Sequence, residues 1–96
     1  MSEENNFRVV HVGEILTIDL EAMPGAGYMW ELTPDSERIE LVRQEVISTS
    51  KAVGGYATQR FSIVVRKPGS YSVNFLLKRT WEKNAVKTAE FSVQVI

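Results

Sequence analysis

Apolar and polar residues alternate with a period of two along most of the chain, and no segment keeps a helical spacing of apolar positions for long. Because successive side chains of a strand point to opposite faces, this pattern predicts β-strands. Seven strands are expected, over residues Phe7 to His11, Ile15 to Leu20, Tyr28 to Leu32, Ile39 to Ser48, Thr58 to Arg66, Tyr71 to Arg79, and Thr88 to Ile96. The sequence therefore predicts an all-β protein.

The fourth of these segments is ambiguous, because Ile39, Val42 and Val46 also fit one face of a short helix. Its β-branched residues and the alternation of its side chains favour a strand. The third strand carries Trp30, which we expect in the core. The remaining core is predicted from the alternating positions of the later strands: Phe61, Ile63, Val65, Tyr71, Val73, Phe75, Leu77, Phe91, Val93 and Val95.

Short strands at regular spacing, separated by Gly and Pro turns and without repeats or a low-complexity linker, are typical of a β-sandwich. A chain of 96 residues is too short to build a second core. We therefore predict one immunoglobulin-like antiparallel β-sandwich of seven to eight strands over residues 7–96, preceded by a flexible N-terminal tail over residues 1–6.

Composition narrows the classes of function. A net charge of −1 gives no reason to expect nucleic acid or anionic lipid as a partner. The absence of Cys excludes disulfides, zinc-thiolate sites and a cysteine nucleophile. No run approaches the roughly 18 apolar residues of a membrane span, and the polar start lacks the features of a secretory signal. A cytoplasmic location is the default expectation, and a secreted or periplasmic one applies if a leader has been removed.

The connections between strands fall into two sets, because alternating strand directions place odd-numbered and even-numbered loops at opposite ends of a sandwich. The odd-numbered loops are short or polar turns around residues 12–14, 33–37 and 67–70, with the Gly, Pro and Asp residues of ordinary turns. The even-numbered loops are loop 2 (Glu21 to Gly27), loop 4 (Thr49 to Ala57) and loop 6 (Thr80 to Lys87). These are longer and carry Met, Tyr, Val and Trp side chains beside their glycines. Loops of this kind gathered at one end of a rigid sandwich predict a binding surface.

In these three loops the sequence resembles the chagasin-type inhibitors of papain-like cysteine proteases, and the similarity covers nearly the whole chain. That family carries a loop of the form Asn-Pro-Thr-Thr-Gly-Tyr or Phe, then a Gly-x-Gly-Gly loop, and then Arg-Pro-Trp. The matching positions here are Met23, Pro24, Gly25, Ala26, Gly27 and Tyr28, then Ala52, Val53, Gly54 and Gly55, and then Arg79, Thr80 and Trp81.

The match departs from the family pattern at five positions. Met23 replaces Asn, Ala52 replaces the first Gly, and Thr80 replaces Pro. Gly25 and Ala26 replace the two Thr residues that in the family approach the protease's catalytic centre. Hydrogen bonds of such hydroxyls are worth roughly 0.5 to 1.5 kcal/mol net each. Ordinary inhibition and weaker or redirected inhibition therefore both stay open.

The resemblance implies a reversible, non-covalent inhibitor, and not an enzyme, that blocks the cleft of papain or a cathepsin L-like protease. From the residues themselves we expect a monomer, because Glu, Lys and Arg scattered along the chain argue against pairing of the edge strands, and we expect no cofactor. Loop 2 is expected to enter the cleft while loops 4 and 6 hold either side, with Trp81 as the anchoring aromatic. The residues expected to contact the protease are Met23, Pro24, Gly25, Ala26, Gly27, Tyr28, Val53, Gly54, Gly55, Tyr56, Arg79, Thr80 and Trp81.

Other interpretations of the same residues stay open from sequence alone. The loops could belong to a generic interaction or adhesion module that binds another protein or a glycan. Trp81 could fold back onto the core, and Arg79 could either hold its loop or contact an enzyme. His11, the only histidine, is expected to be an exposed or satisfied edge residue. A single His without any Cys makes a metal site improbable.

Overall fold

The computed structural model describes residues 6–34, 38–47 and 57–96, and in these residues the chain folds almost entirely into strands. Every predicted strand is present, with ends within two residues of the prediction. The strands are β1 (Phe7–Val10), β2 (Ile15–Ala22), β3 (Tyr28–Pro34), β4 (Ile39–Ile47), β5 (Ala57–Val65), β6 (Gly69–Arg79) and β7 (Lys87–Val95). A short 3₁₀ turn, Pro24–Ala26, lies between β2 and β3.

The strands form two sheets, in the orders β1-β7-β6-β3 and β2-β5-β4, which confirms the sandwich. Among the described strands, β1 and β7 are the pair that runs parallel, which departs from the expected antiparallel pairing. No hairpin joins these two strands, so no turn sets their relative direction. Strand direction alternates along the chain, and two odd-numbered strands that become neighbours are therefore parallel.

The core lies between the sheets and is centred on three phenylalanines. Phe61 of β5 meets Phe75 of β6 across the sandwich with ring centroids 4.8 Å apart, and Phe75 meets Phe91 edge-on at 5.8 Å. Of the predicted core residues, Tyr71 and Leu77 are partly buried against this cluster. The others are buried: Phe61, Ile63, Val65, Val73, Phe75, Phe91, Val93, Val95 and Trp30.

A β-bulge in strand β4 explains why the apolar spacing of this segment also fitted a helix. Its pairing with β5 shifts register between Leu41 and Arg43, so Val42 is an extra residue at a β-bulge. On each side of the bulge, successive residues point to alternate faces of the sheet as in a regular strand. The inserted residue brings Val46, which pairs with Gln59, onto the same face of the sheet as Ile39, which pairs with Val65. The apolar residues therefore recur at a spacing that a regular strand would not show and that imitated a helix.

Strand β3 is an edge strand, and it is fastened to the opposite sheet by a buried glutamine. Among the described residues, Gln59 of β5 is the polar side chain that is buried. Its Oε1 accepts a hydrogen bond from the Trp30 backbone N–H at 2.8 Å, and its Nε2 donates to the Trp30 carbonyl at 2.9 Å. The Trp30 indole Nε1 donates to the carbonyl of Glu21 in β2 at 2.9 Å. The Gln59 amide thus takes the place of a neighbouring strand's peptide group.

The N-terminal end of the described chain is joined to β7. Asn6 accepts a hydrogen bond from the Ser92 N–H through its carbonyl, and its side chain donates to the Glu90 carbonyl at 3.1 Å. In the part of the chain that the structure describes, no helix has the length and apolar character to cross a membrane.

Candidate functional site

Loop 2 is a closed, tightly hydrogen-bonded turn. Strand β2 takes its first two residues, and Met23 and Tyr28 then exchange two backbone hydrogen bonds of 3.0 and 3.1 Å. Between them, Pro24 occupies the first turn of the 3₁₀ segment, where its fixed φ suits the backbone. The Ala26 N–H donates to the Met23 carbonyl at 3.0 Å, and the Gly27 N–H to the Pro24 carbonyl at 2.9 Å. The projecting tip is therefore narrow, poor in side chains and held by its own backbone.

Gly27 is required at this turn for two physical reasons. Its φ is +88°, in the left-handed region that residues with a Cβ rarely adopt. A Cβ placed on it would also lie 3.0 Å from Cη2 of Trp81 in loop 6. The absence of a side chain thus lets the indole ring lie directly against loop 2.

Loop 6 is fixed at both of its ends. The Glu82 N–H donates to the Arg79 carbonyl at 3.0 Å, and the Val86 N–H donates to the Leu77 carbonyl at 2.8 Å. The Lys78 ammonium donates to the Glu82 carbonyl at 3.1 Å. These bonds define the base from which Trp81 projects.

Arg79 joins loop 6 to loop 2. Its Nε donates to the Ala26 carbonyl at 3.2 Å, and its Nη1 lies 3.8 Å from a Glu82 carboxylate oxygen. The guanidinium carbon lies 4.5 Å from the ring centroid of Tyr28 and 5.8 Å from that of Trp81. A guanidinium held between two aromatic rings and a carbonyl acts as a clamp. Arg79 therefore joins loops 2 and 6 in the free protein, which is one of the two roles left open by the sequence.

Trp81 is 71% exposed, so it does not fold back to cap the core. One edge of its ring lies against Gly27, and the Arg79 guanidinium lies beside it. A large aromatic that is exposed but positioned by its neighbours is the type of residue that anchors protein interfaces.

The predicted residues of loop 4, namely Val53, Gly54, Gly55 and Tyr56, lie outside the described residues, as does Ala52. The strands on either side of this segment end beside loop 2. Ala22, which precedes Met23, pairs with Ala57, and Ile47 pairs with Thr58. In the other sheet, Tyr28 pairs with Arg79. The roots of all three predicted loops are therefore at one end of the sandwich.

At the opposite end, the described connection between β1 and β2 is a short turn. His11 is exposed, and its backbone N–H donates to a Glu14 carboxylate oxygen at 2.8 Å. This bond to the His11 backbone is the main reason that the pKa of Glu14 is lowered from its ordinary value. Within residues 6–34, 38–47 and 57–96, no three His, Cys, Asp or Glu side chains come together as metal ligands.

Three supporting residues were not predicted from the sequence: Gln59, Lys78 and Glu82. Gln59 could have been found, because it occupies the inward phase of β5 two residues before Phe61 and is the polar member of that series. Lys78 and Glu82 gave no such signal, because charged residues beside a loop usually face solvent.

Comparisons with known proteins agree with this geometry. Residues 9–95 match the family described as chagasin family peptidase inhibitor I42. Chagasin from Trypanosoma cruzi is 26% identical over 90 residues, or 88% of this chain and 82% of chagasin. The crystal structure of the cysteine protease inhibitor EhICP2 from Entamoeba histolytica has a TM-score of 0.75 at 18% identity, over 93% of this chain and 97% of that one. The structure of PbICP-C in complex with falcipain-2 has a TM-score of 0.66 at 25% identity, over 100% of this chain and 94% of that one.

Proposed function

The chain belongs to the chagasin family of peptidase inhibitors, and from this premise we propose that it is a reversible, non-covalent inhibitor of papain-like cysteine proteases. PbICP-C, at 25% identity, was solved bound to one such protease, falcipain-2. The chain is thus a binding protein and not an enzyme. The protease is its partner, and the binding surface is the end of the sandwich that carries loops 2, 4 and 6.

One observation carries the proposal: loops 2 and 6 form a single projecting unit before any partner binds. Arg79 bonds the Ala26 carbonyl, and Trp81 lies against Gly27. A surface that is already ordered loses little conformational entropy on binding, so more of its contact energy appears as affinity.

The shape of loop 2 suits a protease cleft. Its tip presents Gly25, Ala26 and Gly27, so backbone can approach the bottom of the cleft without a large side chain intervening. Pro24 further restricts the loop in the unbound state. Beside the tip, Trp81 offers the large aromatic surface that pairs with a pocket at the edge of the cleft.

Internal hydrogen bonds also protect loop 2 from hydrolysis. A protease cleaves a peptide bond whose carbonyl oxygen enters the oxyanion hole. In loop 2 the carbonyls of Met23, Pro24 and Ala26 all accept bonds from within the molecule. Presenting one of them to the enzyme would require breaking the turn. We therefore expect the inhibitor to occupy the cleft without being consumed.

The proposal is tested with purified papain and a cathepsin L-like enzyme. Micromolar or lower protein is expected to inhibit both competitively against a small peptide substrate. Activity is expected to return on dilution, and the recovered inhibitor should have its full mass. Absence of inhibition across several papain-like enzymes at high concentration would contradict the proposal and favour the interaction-module alternative.

A further inference from the structure

We propose that Gln59 is a positioning residue for the inhibitory site, because it sets the spacing between the two sheets directly beneath the binding loops. This inference rests on the proposed function. Gln59 does not touch the partner; it acts through the backbone of β3. The end of the sandwich that carries loops 2, 4 and 6 depends on this spacing, because these loops arise from different sheets.

The location of the Gln59 bonds is the first argument. Gln59 follows Ala57, the first residue of β5, by two positions, and Trp30 follows Tyr28, the first residue of β3, by two. Two residues of a strand span about 7 Å. The pair of hydrogen bonds between Gln59 and Trp30 therefore crosses the sandwich just below the roots of loops 2 and 4.

The openness of the sandwich beside β3 is the second argument. Strand β3 has one neighbour in its own sheet, β6, and its other side borders a groove between β3 and β4. The groove has a volume of about 440 Å³ and is lined by Trp30, Glu31, Leu32, Ile39, Leu41 and Gln44. Among the described strands, none lies along this side to hold β3 against the second sheet. The Gln59 amide supplies that connection instead.

The third argument concerns the sheet to which each loop is attached. Loop 6 follows β6 in the first sheet, and loop 2 enters β3 of the same sheet, where Arg79 joins the two loops. The strands that flank loop 4, β4 and β5, belong to the second sheet. Arg79 therefore fixes loop 2 to loop 6, and it does not act on the second sheet. At this end Gln59 and the Trp30 indole make side-chain hydrogen bonds between the sheets.

Gln59→Met is the direct test, because Met has a similar length and leaves the Trp30 N–H and carbonyl without their partner. The expected result is an inhibition constant raised by about tenfold, since a loosened surface must be ordered on binding. Gln59→Asn, which keeps the amide but shortens its reach, should give a smaller rise in the same direction. If Gln59→Met does not fold, Gln59→Asn alone decides the question.

A distance measurement separates this inference from the proposed function. The chain has no Cys, so spin labels attach only at introduced positions. Labels at Glu45→Cys in β4, which pairs with Arg60 beside Gln59, and at Lys83→Cys in loop 6 report the distance between the second sheet and the loop that follows the first. Gln59→Met is expected to broaden this distance distribution. Failure of the wild-type chain to inhibit would overturn the proposed function, whereas the label distances still test the role of Gln59.

Val73→Ala is the matched control for stability. Val73 is fully buried in β6, but it lies toward the opposite end, where it pairs with Pro34. Its truncation should lower the free energy of unfolding by creating a cavity while leaving the inhibition constant within about twofold. The inference is wrong if Gln59→Met weakens inhibition no more than Val73→Ala does, or if it leaves the label distances unchanged.

Discussion

At the scale of single residues, the site depends on groups that hold loops rather than on groups that perform chemistry. Gly27 provides a left-handed turn and room for an indole ring, and Arg79 fills the space between two loops. Among the described residues of this end, Trp81 is the aromatic side chain with high exposure. Trp81, the expected anchoring aromatic, is therefore distinct from Gly27 and Arg79, which position it.

Gly27→Ala is expected to lower both stability and inhibition. The substitution forces a Cβ into a left-handed backbone, at a cost of about 1 kcal/mol or more, and toward the Trp81 ring. Gly13→Ala is the control, because Gly13 has a similar φ of +81° at the opposite end, with open space around its Cβ position. Urea unfolding should show comparable losses for the two variants. Only Gly27→Ala should raise the inhibition constant, and an equal rise for both would contradict the role of the Gly27–Trp81 contact.

Arg79→Met is expected to weaken inhibition by about 1 kcal/mol, since each cation–π contact contributes roughly 0.5 to 1 kcal/mol. The Met side chain keeps much of the apolar packing but loses the bond to the Ala26 carbonyl. Backbone hydrogen exchange should speed up in loop 2 of the free protein. If exchange in loop 2 is unchanged while inhibition falls, Arg79 contacts the protease directly and the clamp is wrong.

The residues that could be predicted are those whose signal is local. Pro24 and Gly27 predicted a turn, because their backbone preferences do not depend on context. Trp30 was predicted in the core, because it lies on a predicted strand. The arrangement of Arg79 between two rings could not be predicted, because it depends on which strands become neighbours. From the sequence Arg79 could either hold its loop or contact an enzyme, and only the pairing of β3 with β6 brings it beside Tyr28.

At the scale of elements, the alternation of apolar residues predicted all seven strands, because one face of each sheet packs on the core. Which strands pair with each other was harder to predict from the sequence. The parallel neighbours β1 and β7 are separated by most of the chain, and no turn signal connects them. The bulge at Val42 shifted the apolar spacing of β4, so a strand looked partly helical. Local pattern thus identifies strands, whereas sheet order depends on contacts between distant segments.

The edge of the second sheet contains an ion pair that makes stability depend on pH. Asp19 of β2 accepts hydrogen bonds of 2.8 and 2.9 Å from Nε and Nη2 of Arg60 on β5. These bonds hold the pKa of the Asp19 carboxyl below its ordinary value of 3.8. The pair therefore stabilises the fold above pH 3.8, and this contribution is lost as the pH falls through the lower folded-state pKa.

Asp19→Asn should slightly lower the urea midpoint at pH 7 and have less effect at pH 3, where the pair is being lost. The change is expected to be small, because both side chains are more than a third exposed and the pair is screened by water. High salt should reduce the difference between the two chains at pH 7. A loss of the same size at pH 3 and pH 7 would show that packing, rather than charge, is responsible.

At the scale of the whole molecule, the two ends of the sandwich differ in kind. In its described residues, one end has compact turns with polar groups satisfied nearby, as in the bond that the His11 backbone N–H donates to the Glu14 carboxylate. The other gathers the roots of loops 2, 4 and 6, and there the projecting Trp81 is fixed by loop 2. This division was predictable from strand count and loop length alone, since alternating direction sorts the loops. The link that Gln59 makes between the sheets was not, because it needs their face-to-face packing.

The most direct test of the account is the inhibition constant of Trp81→Ala against papain, measured beside Ile15→Ala. Both residues are exposed apolar side chains, at 71% and 58%, but Ile15 begins β2 at the end away from the loops. We expect Trp81→Ala to weaken inhibition by at least about 2 kcal/mol, or roughly 30-fold, with the folded state intact. Ile15→Ala should inhibit like the wild-type chain. Equal inhibition by the two variants would contradict the claim that the loop end of the sandwich binds the protease.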